Sequence, residues 1–513
     1  MRAVRIGMER ITLRELWGDI RDPLPPGAAA LPIGGVRDDS RRVEPGDVFV
    51  AVRGAATDGG EHIAEAITRG AACIVAERAV DGDVPIVRVT DARIALAGLA
   101  AAWFGHPARG LTMVGITGTV GKTSVLAMLE AILERAAIVT GTIGSLGVRY
   151  AGTHTATLNT TPGILDIQRA LAGMRDARAQ VAAMEVTSHA LVQRRVHGLR
   201  FDLGIFTNLT MLEHLEYHRS FRAYAGAKLK FLEHLRHDAP LIYAAGDRIV
   251  RQAARRHEGP RISCGGGNAR VHVRRGVVAL EGTRITLDIR RPLSRLDGSF
   301  LEPCRIPILL RTLGRPNTAN ATLAATAGLC LGAMPEHVRS ALASVVPPRR
   351  RMEVIRHRDP VIIDDTVGHP DSITGIFELV GRVPHGTLHV VFAVRGRRGA
   401  QINGRDAEAL AIWSRRVSIA ALHVTSAIDT ADERNVVSDE EREAFLGVLR
   451  RERLAHTHHA RLEDAIAAAL DGAHDGDLVL LLGAQGMDAG AELARRLLQR
   501  TGEPAGSRRM TNE

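Results

Sequence analysis

The residues whose types and spacing promise chemistry are Gly118, Thr119, Gly121, Lys122, Thr123 and Ser124, within the run Thr117-Gly118-Thr119-Val120-Gly121-Lys122-Thr123-Ser124. Glycines at 118 and 121 let backbone N–H groups approach phosphate oxygens closely. Lys122 is long enough to reach the terminal phosphates, and the Thr123 hydroxyl suits Mg²⁺. The elements that must position them are legible on both sides. An apolar run from Met113 to Ile116 precedes the loop. Val125, Leu126, Leu129, Ile132 and Leu133 follow it at helical spacing. Strand, glycine loop and helix N-terminus make a phosphate site, because the first helical N–H groups and the helix dipole carry partial positive charge. Such a loop identifies a nucleotide and leaves the reaction open, since motors, kinases and ligases all use one.

Further along, Val181–Leu191 reads as an apolar strand ending in Glu185. In an α/β sheet that ending sets a carboxylate beside the nucleotide loop, where it would hold Mg²⁺. Ile205–Tyr217 is a second strand that runs into polar residues, among them His214, and Tyr224–Leu232 carries Lys228. Taken singly, His214 and Lys228 are ordinary surface or satisfied side chains.

Hydrophobic content of 45% and charged content of 24% are globular values, and 513 residues exceed one ordinary core, so several domains are expected. The net charge of +10 favours anionic small substrates. Basic residues are dispersed and aromatics make up only 3%, so a base-stacking groove is poorly supplied and no nucleic-acid partner is expected. Cys73, Cys264, Cys304 and Cys330 stand far apart, which indicates neither a zinc ribbon nor a disulfide framework. The N-terminus shows no long apolar segment, and no apolar run of about 18 residues follows. A cytoplasmic chain that makes no membrane contact is therefore expected.

The order of patterns predicts an α/β protein of three domains. Residues 1–105 alternate strand candidates (Val48–Val52 and Ala72–Ala76) with a helix candidate, Ile63–Arg69. Residues 106–346 hold the phosphate loop, a β-hairpin region near 268–290 with Gly276 and Gly282 as turn signals, and Gly314–Ala333 as a loop entering an alanine-rich helix. Pro347-Pro348-Arg349 reads as a linker. In residues 347–513, strand patterns at Pro360–Ile363, Leu388–Ala393, Ala420–Thr425 and Asp477–Leu482 alternate with helical ones and predict a Rossmann-like parallel sheet. The tail 502–513 is polar.

An ordered series of segments resembles the Mur ligase family, in its tripeptide-forming branch. The segments are Asp39–Gly54 (DSRRVEPGDVFVAVRG), the phosphate loop, Asn159–Pro162 (NTTP), Met184–Val196 (MEVTSHALVQRRV), Thr207–His218, Tyr224–Lys228 (YAGAK), Gly314–Asn320 (GRPNTAN) and Arg350–Glu353 (RRME). The resemblance implies an ATP-dependent ligase that joins an amino acid to UDP-N-acetylmuramoyl-L-alanyl-D-glutamate in peptidoglycan precursor synthesis. It implies an N-terminal uridine-binding domain, a central P-loop ATPase domain and a C-terminal Rossmann-like domain, in a monomer. By matching motif, Lys122 and Thr123 would hold phosphates and Mg²⁺, Glu185 and His214 would bind metal, and Lys228 would carry a CO₂-derived carbamate that ligates a second Mg²⁺. Ser40 would contact uridine. Asn159, Thr160, Thr161, Thr187, Gln193 and Arg195 would line the nucleotide-sugar peptide. Asn320 would meet adenine, Arg351 the phosphates, Asp364 the nucleotide, and Asp488 the incoming amino acid.

The sequence departs from the family pattern in definite places. Val120 stands where the loop usually has Asn, and one extra residue lies between Thr210 and Glu213. Asp364–Asp371 reads DDTVGHPD with His369 displaced, VRGRRG occupies Val394–Gly399, and GAQGMD replaces the terminal Gly-Lys-Gly-His-Glu. The Asp-Asn-Pro-Arg loop that recognises diaminopimelate is replaced by TSAIDTADERN. These departures open a second reading, an amide ligase of the same chemistry acting on a different carboxylate and amine. A nucleic-acid-linked ATPase and a silent scaffold are further alternatives, and neither needs the set Glu185, His214 and Lys228.

Overall fold

The computed structural model describes residues 11–54, 58–78, 82–210, 215–279, 282–345, 349–356, 360–433 and 435–501. The chain divides into two compact units, residues 1–273 with 287–306 and 319–341, and residues 274–286 with 307–318 and 342–513.

The first unit opens with four parallel strands, β1 (Gly35–Arg37), β2 (Asp47–Val50), β3 (Cys73–Ala76) and β4 (Ile86–Arg88), in that spatial order. The two strands and the helix expected here form within two residues of their expected limits, the helix as Ile63–Thr68. The helix Ala92–Trp103 begins at Asp91, whose carboxylate accepts from the N–H groups of Arg93 and Ile94. Its Ala95, Leu96, Leu99 and Ala100 pack on Val48, Val50 and Val75, together with Ile164 and Leu165 of the helix Ile164–Asp176. One core thus joins this sheet to the region that follows.

That region is built on β5 (Thr112–Thr117), β6 (Thr140–Gly144), β7 (Gly147–Tyr150), β8 (Thr153–Thr155), β9 (Val181–Glu185), β10 (Leu203–Phe206), β11 (Leu241–Ala244) and β12 (Arg261–Gly265). They lie in the order β12-β11-β10-β5-β9-β6-β7-β8, with β7 antiparallel to both β6 and β8 and the other pairs parallel. Residues of β5, β9 and β10 are buried almost throughout, which is why they read as continuous apolar runs. β5 is central, so its carboxyl end delivers the glycine loop between two neighbours whose ends carry Glu185 and Thr207.

The strands β13 (Val271–Ala279) and β14 (Gly282–Ile289) make the expected hairpin region, followed by β15 (Leu293–Ser294), β16 (Phe300–Leu301) and β17 (Cys304–Leu310). Gly276 is not a turn residue. It lies inside β13, where a Cβ would stand 2.9 Å from the Arg284 carbonyl oxygen, so glycine serves close backbone approach. No loop precedes the alanine-rich helix within Gly314–Ala333, because the helix already begins at Gly314 and runs to Cys330. Pro347 and Pro348 of the expected linker lie outside the described residues.

In the second unit β18 (Glu353–Arg356), β19 (Val361–Asp365), β20 (Leu388–Ala393), β21 (Ala421–Thr425), β22 (Thr457–His459) and β23 (Leu478–Gly483) form a sheet in the order β18-β19-β23-β20-β21-β22. It is parallel as expected except at its edge, where β18 runs antiparallel to β19 with a bulge between Val354 and Arg356. Apolar cores cover both faces, one around Phe377, Leu410 and Phe445, the other around Val391, Ile466 and Leu481.

Candidate active site

The phosphate loop lies between the end of β5 at Thr117 and the helix Lys122–Arg135. Gly118 has φ +143° and Gly121 φ +90°, conformations that favour glycine. A Cβ at Gly118 would collide with the Thr207 hydroxyl, and one at Gly121 with the Asn320 amide. The Lys122 ammonium donates to the carbonyls of Gly118 (2.9 Å) and Thr119 (2.8 Å), so it lies over its own loop. Ser124 is buried in the first helical turn.

Val120 takes the place of an asparagine side chain, and its backbone is gripped from β10 instead. Its N–H donates to Asn208 Oδ1 (3.0 Å), and its carbonyl accepts from Asn208 Nδ2 (3.0 Å) and Thr207 Oγ1 (2.7 Å). Neither Asn208 nor Thr207 was singled out from the sequence. The available signal was a polar run directly after the buried strand β10.

Glu185 ends β9 opposite Ile116 and is 1% exposed. Its carboxylate accepts from Thr123 Oγ1 at 3.0 Å on both oxygens, and from the Ser145 N–H at 2.8 Å. These are hard oxygen donors next to a phosphate loop, which fits Mg²⁺. Among the described residues no group of three or more His, Cys, Asp or Glu could hold a metal by itself. The site thus suits an ion completed by phosphate oxygens.

Lys228 is 1% exposed and donates to the same Gly118 carbonyl at 2.8 Å, with its ammonium 5.0 Å from the Tyr224 ring centre. The Tyr224 hydroxyl donates to Thr119 Oγ1 at 2.9 Å. Lys228 is therefore no surface lysine: the helix Phe221–Leu229 turns it under the loop. His214 lies outside the described residues. His218, which the sequence reading passed over, is buried with its Nε2 3.0 Å from Ser188 Oγ and its ring against Tyr217 and Tyr224.

A polar array continues from Glu185. Thr161 Oγ1 donates to the Glu185 carbonyl (2.9 Å) and to Thr187 Oγ1 (3.2 Å), and Thr187 caps the helix Ser188–Val192. The Arg195 guanidinium donates to the Thr161 carbonyl (2.6 Å) and, through two nitrogens, to Gln193 Oε1 (3.0 and 2.7 Å). Burial and the neighbouring Arg93 lower its pKa from the usual arginine range. Thr160 meets Ser145 at 3.0 Å, and Asn159 is exposed beside it. Asn320 is buried against Gly121. Ser40 opens a 3-10 helix, Ser40–Arg42, between β1 and β2, where its hydroxyl donates to Glu65 at 2.6 Å.

The remaining expected residues belong to the second unit. Arg351 is exposed. Asp364 is fully buried beside the Arg350 guanidinium (3.2 Å), and burial pushes its pKa up to about 6. Asp365 accepts from the Met352 N–H and is also pushed up to about 6 by burial. Asp488 is ion-paired with Arg350. The loop in place of the family's Gly-rich stretch is closed from inside: the Glu441 carboxylate accepts from the N–H groups of Arg397 (3.1 Å), Arg398 (2.7 Å) and Gly399 (2.7 Å). Although burial opposes it, the Ser438 N–H and these three backbone bonds hold the Glu441 pKa below the usual range.

Asp406, on the helix Ala400–Ser414 behind that loop, is 1% exposed and leaves Oδ1 without a hydrogen-bond partner. Burial pushes its pKa up to about 7, against the opposing charge of Arg395. A folded-state pKa above the unfolded value means that the folded state holds the proton more tightly. Its contribution is fully present below about pH 4 and lost as pH rises through about 7. Asp406→Asn should therefore raise stability at pH 8 by about 1–3 kcal/mol and change it little at pH 4. Thermal unfolding of both proteins from pH 4 to 8 checks this. Parallel curves would show that Asp406 does not titrate in this way.

Comparison with known proteins accords with this geometry. Three family models match in chain order: the Mur ligase family catalytic domain over residues 32–104, the Mur ligase middle domain over 116–328, and the Mur ligase glutamate ligase domain over 350–485. A UDP-N-acetylmuramoyl-L-alanyl-D-glutamate–2,6-diaminopimelate ligase of Geobacter metallireducens is 35% identical over 381 residues, covering 72% of either chain. The enzyme of the same name from Geobacillus kaustophilus is 31% identical over 453 residues, covering 87% of this chain and 88% of its own. A solved structure of a ligase of that name superposes with a TM-score of 0.69 at 17% identity, over 96% of this chain and all of the other. No described helix is long and apolar enough to cross a membrane. Three α/β domains in this order, with a phosphate loop flanked by Glu185 and Lys228, make the chain a member of the Mur ligase family, an ATP- and Mg²⁺-using acid–amino-acid ligase.

Proposed function

We propose that the protein adds an amino acid to UDP-N-acetylmuramoyl-L-alanyl-D-glutamate in peptidoglycan precursor synthesis, as a cytoplasmic monomer. Residues 1–105 bind the uridine end, 106–346 bind ATP, and 347–513 bind the amino acid. The observation that carries this reading is the convergence of Lys122, Thr123, Glu185 and Lys228 on one glycine loop, with the Thr161–Arg195 array running away from it.

In the first step a carboxylate oxygen of the muramyl dipeptide attacks the γ-phosphorus of ATP, and ADP leaves. In the second, the amine attacks the acyl carbon, phosphate is expelled, and the nitrogen loses its proton to solvent. Both transition states are strongly anionic, so cations and positioning do most of the catalysis. Lys122 neutralises the transferred phosphoryl oxygens, and the loop N–H groups cradle the phosphates. Thr123 and Glu185 would hold Mg²⁺, which when bound supplies charge neutralisation at the phosphates. Arg195, held flat by Gln193 and Thr161, orients the anionic substrate. Lys228, as a carbamate, would exchange a cationic tip for a long-armed anion suited to holding a second Mg²⁺, with His214 as its partner.

Diaminopimelate, named in the relatives, is the first amino acid to test. A second reading keeps the chemistry and changes the substrates. It is favoured by Glu441 filling the loop at Arg397–Gly399 and by Arg350 engaging Asp488. Phosphate release from ATP with the nucleotide-sugar dipeptide, across a panel of amino acids including diaminopimelate and lysine, separates the two. Release that requires both the dipeptide and one amino acid is expected. Silence with the dipeptide and every amino acid, from a folded enzyme, would remove the first reading.

A further inference from the structure

Arg350 is the second of three consecutive arginines, and the sequence marks it no more than its neighbours. Its backbone is left-handed, φ +60°, and so is that of Met352, φ +53°. Such residues persist only where their surroundings over-determine them. Here the surroundings do. The Arg350 N–H donates to Glu353 (2.8 Å), its carbonyl accepts from the Thr366 N–H (2.9 Å), and the Met352 N–H donates to Asp365 (2.9 Å). The buried guanidinium reaches the carboxyl ends of two paired strands at once: Asp364 of β19, then the Gly483 carbonyl of β23 (2.5 Å) and, just beyond, the Ala484 carbonyl (2.9 Å) and Asp488. In open α/β sheets ligands bind outside those strand ends.

Two consequences follow from this clamp. Residues 350 and 352 turn inward, both buried, so Arg351 between them is turned out to solvent. Asp364 has one oxygen on Arg350 while its other, Oδ2, is buried without a partner, an acceptor left over for a donor group of a ligand. We propose that Arg350 is a positioning residue for nucleotide binding, acting through Arg351, which it aims, and Asp364, whose carboxylate it fixes. The proposal rests on the ligase reading, in which Arg351 and Asp364 meet ATP. The charged groups around Asp364 are Arg350, Asp365 and Glu353, with Asp488 on the far side of the guanidinium. Arg350 is the cation that opposes the burial-driven rise of the Asp364 pKa.

The test uses Arg350→Gly and Arg350→Lys in the full chain. Glycine accepts φ +60° without strain, so the first variant removes the guanidinium while easing the backbone. The second keeps the charge but not the fork of four contacts. For Arg350→Gly, KM for ATP should rise about tenfold or more, and KM for the nucleotide-sugar dipeptide should stay within about twofold. Protonating Asp364 should weaken ATP binding, so the acid limb of kcat/KM for ATP should move to higher pH once the cation is gone. Arg350→Lys should restore the limb but only part of the KM. A merely structural role would alter stability and leave the limb in place. Unchanged KM for ATP and an unmoved limb in a folded Arg350→Gly variant would overturn the proposal. Should that variant not fold, a wild-type KM for ATP in Arg350→Lys would overturn it equally. Inactivity of the wild-type enzyme toward ATP with every substrate pair would instead count against the ligase reading.

Discussion

Lys122→Ala is expected to abolish ligation, lowering kcat/KM by about 100- to 1,000-fold or more, with the protein still folded. The ammonium donates to two backbone carbonyls of its own loop, at 2.9 and 2.8 Å, and both belong to the loop that a nucleotide would reorganise. On the ligase reading the side chain is stationed where the transferred phosphoryl group would arrive, and no other residue of the loop carries a positive charge. Arginine should not substitute. Its planar fork is wider than an ammonium, and the Gly118 carbonyl already takes Lys228 from the other side at 2.8 Å. The measurement is steady-state ligation with circular dichroism as the control for folding. Near-normal turnover in a folded Lys122→Ala protein would remove the phosphate-loop assignment.

Lys228→Ala should be nearly inactive too, by about 100-fold, and the loss should be reparable from outside. A carbamate forms only on an uncharged amine and only with CO₂, so wild-type activity should fall when CO₂ is removed and recover with bicarbonate. In Lys228→Ala a short-chain carboxylic acid should fill the vacated space under the loop and supply the missing anion, restoring part of the rate. Glu185→Ala should not respond to the same acid, because its carboxylate is tied to Thr123 and the Ser145 N–H and on the proposed reading would also serve the ion. The structure sharpens what failure would look like. A lysine 1% exposed and bonded to the Gly118 carbonyl cannot be silent on substitution. Loss of activity alone would therefore be expected from packing. Rescue by an acid is the outcome that packing cannot produce, and a Lys228→Ala enzyme indifferent to acid, with a wild type indifferent to bicarbonate, would leave Lys228 a structural donor.

Much of this protein was legible in its sequence, for local reasons. The phosphate loop needs glycine where φ is positive, a buried strand before it and a helix after it, and each demand leaves a mark within about 20 residues. Glu185 was readable as a carboxylate ending an apolar strand, and the third sheet as four buried runs separated by helical patterns. Gly276 was misread because a glycine in a turn and a glycine admitting a neighbouring backbone look alike until the neighbour, Arg284, is in place. The antiparallel edge β18 left no signal, since pairing direction depends on where the chain returns. Side-chain partnerships across long separations were decided only by the tertiary structure. Lys228 reaches Gly118 across 110 residues, Arg350 reaches Gly483 across 133, and Glu441 closes a loop 42 residues before it. A lysine, an arginine and a glutamate each have a spelling that says surface, and it is burial against a distant carbonyl or N–H group that turns each into part of a site.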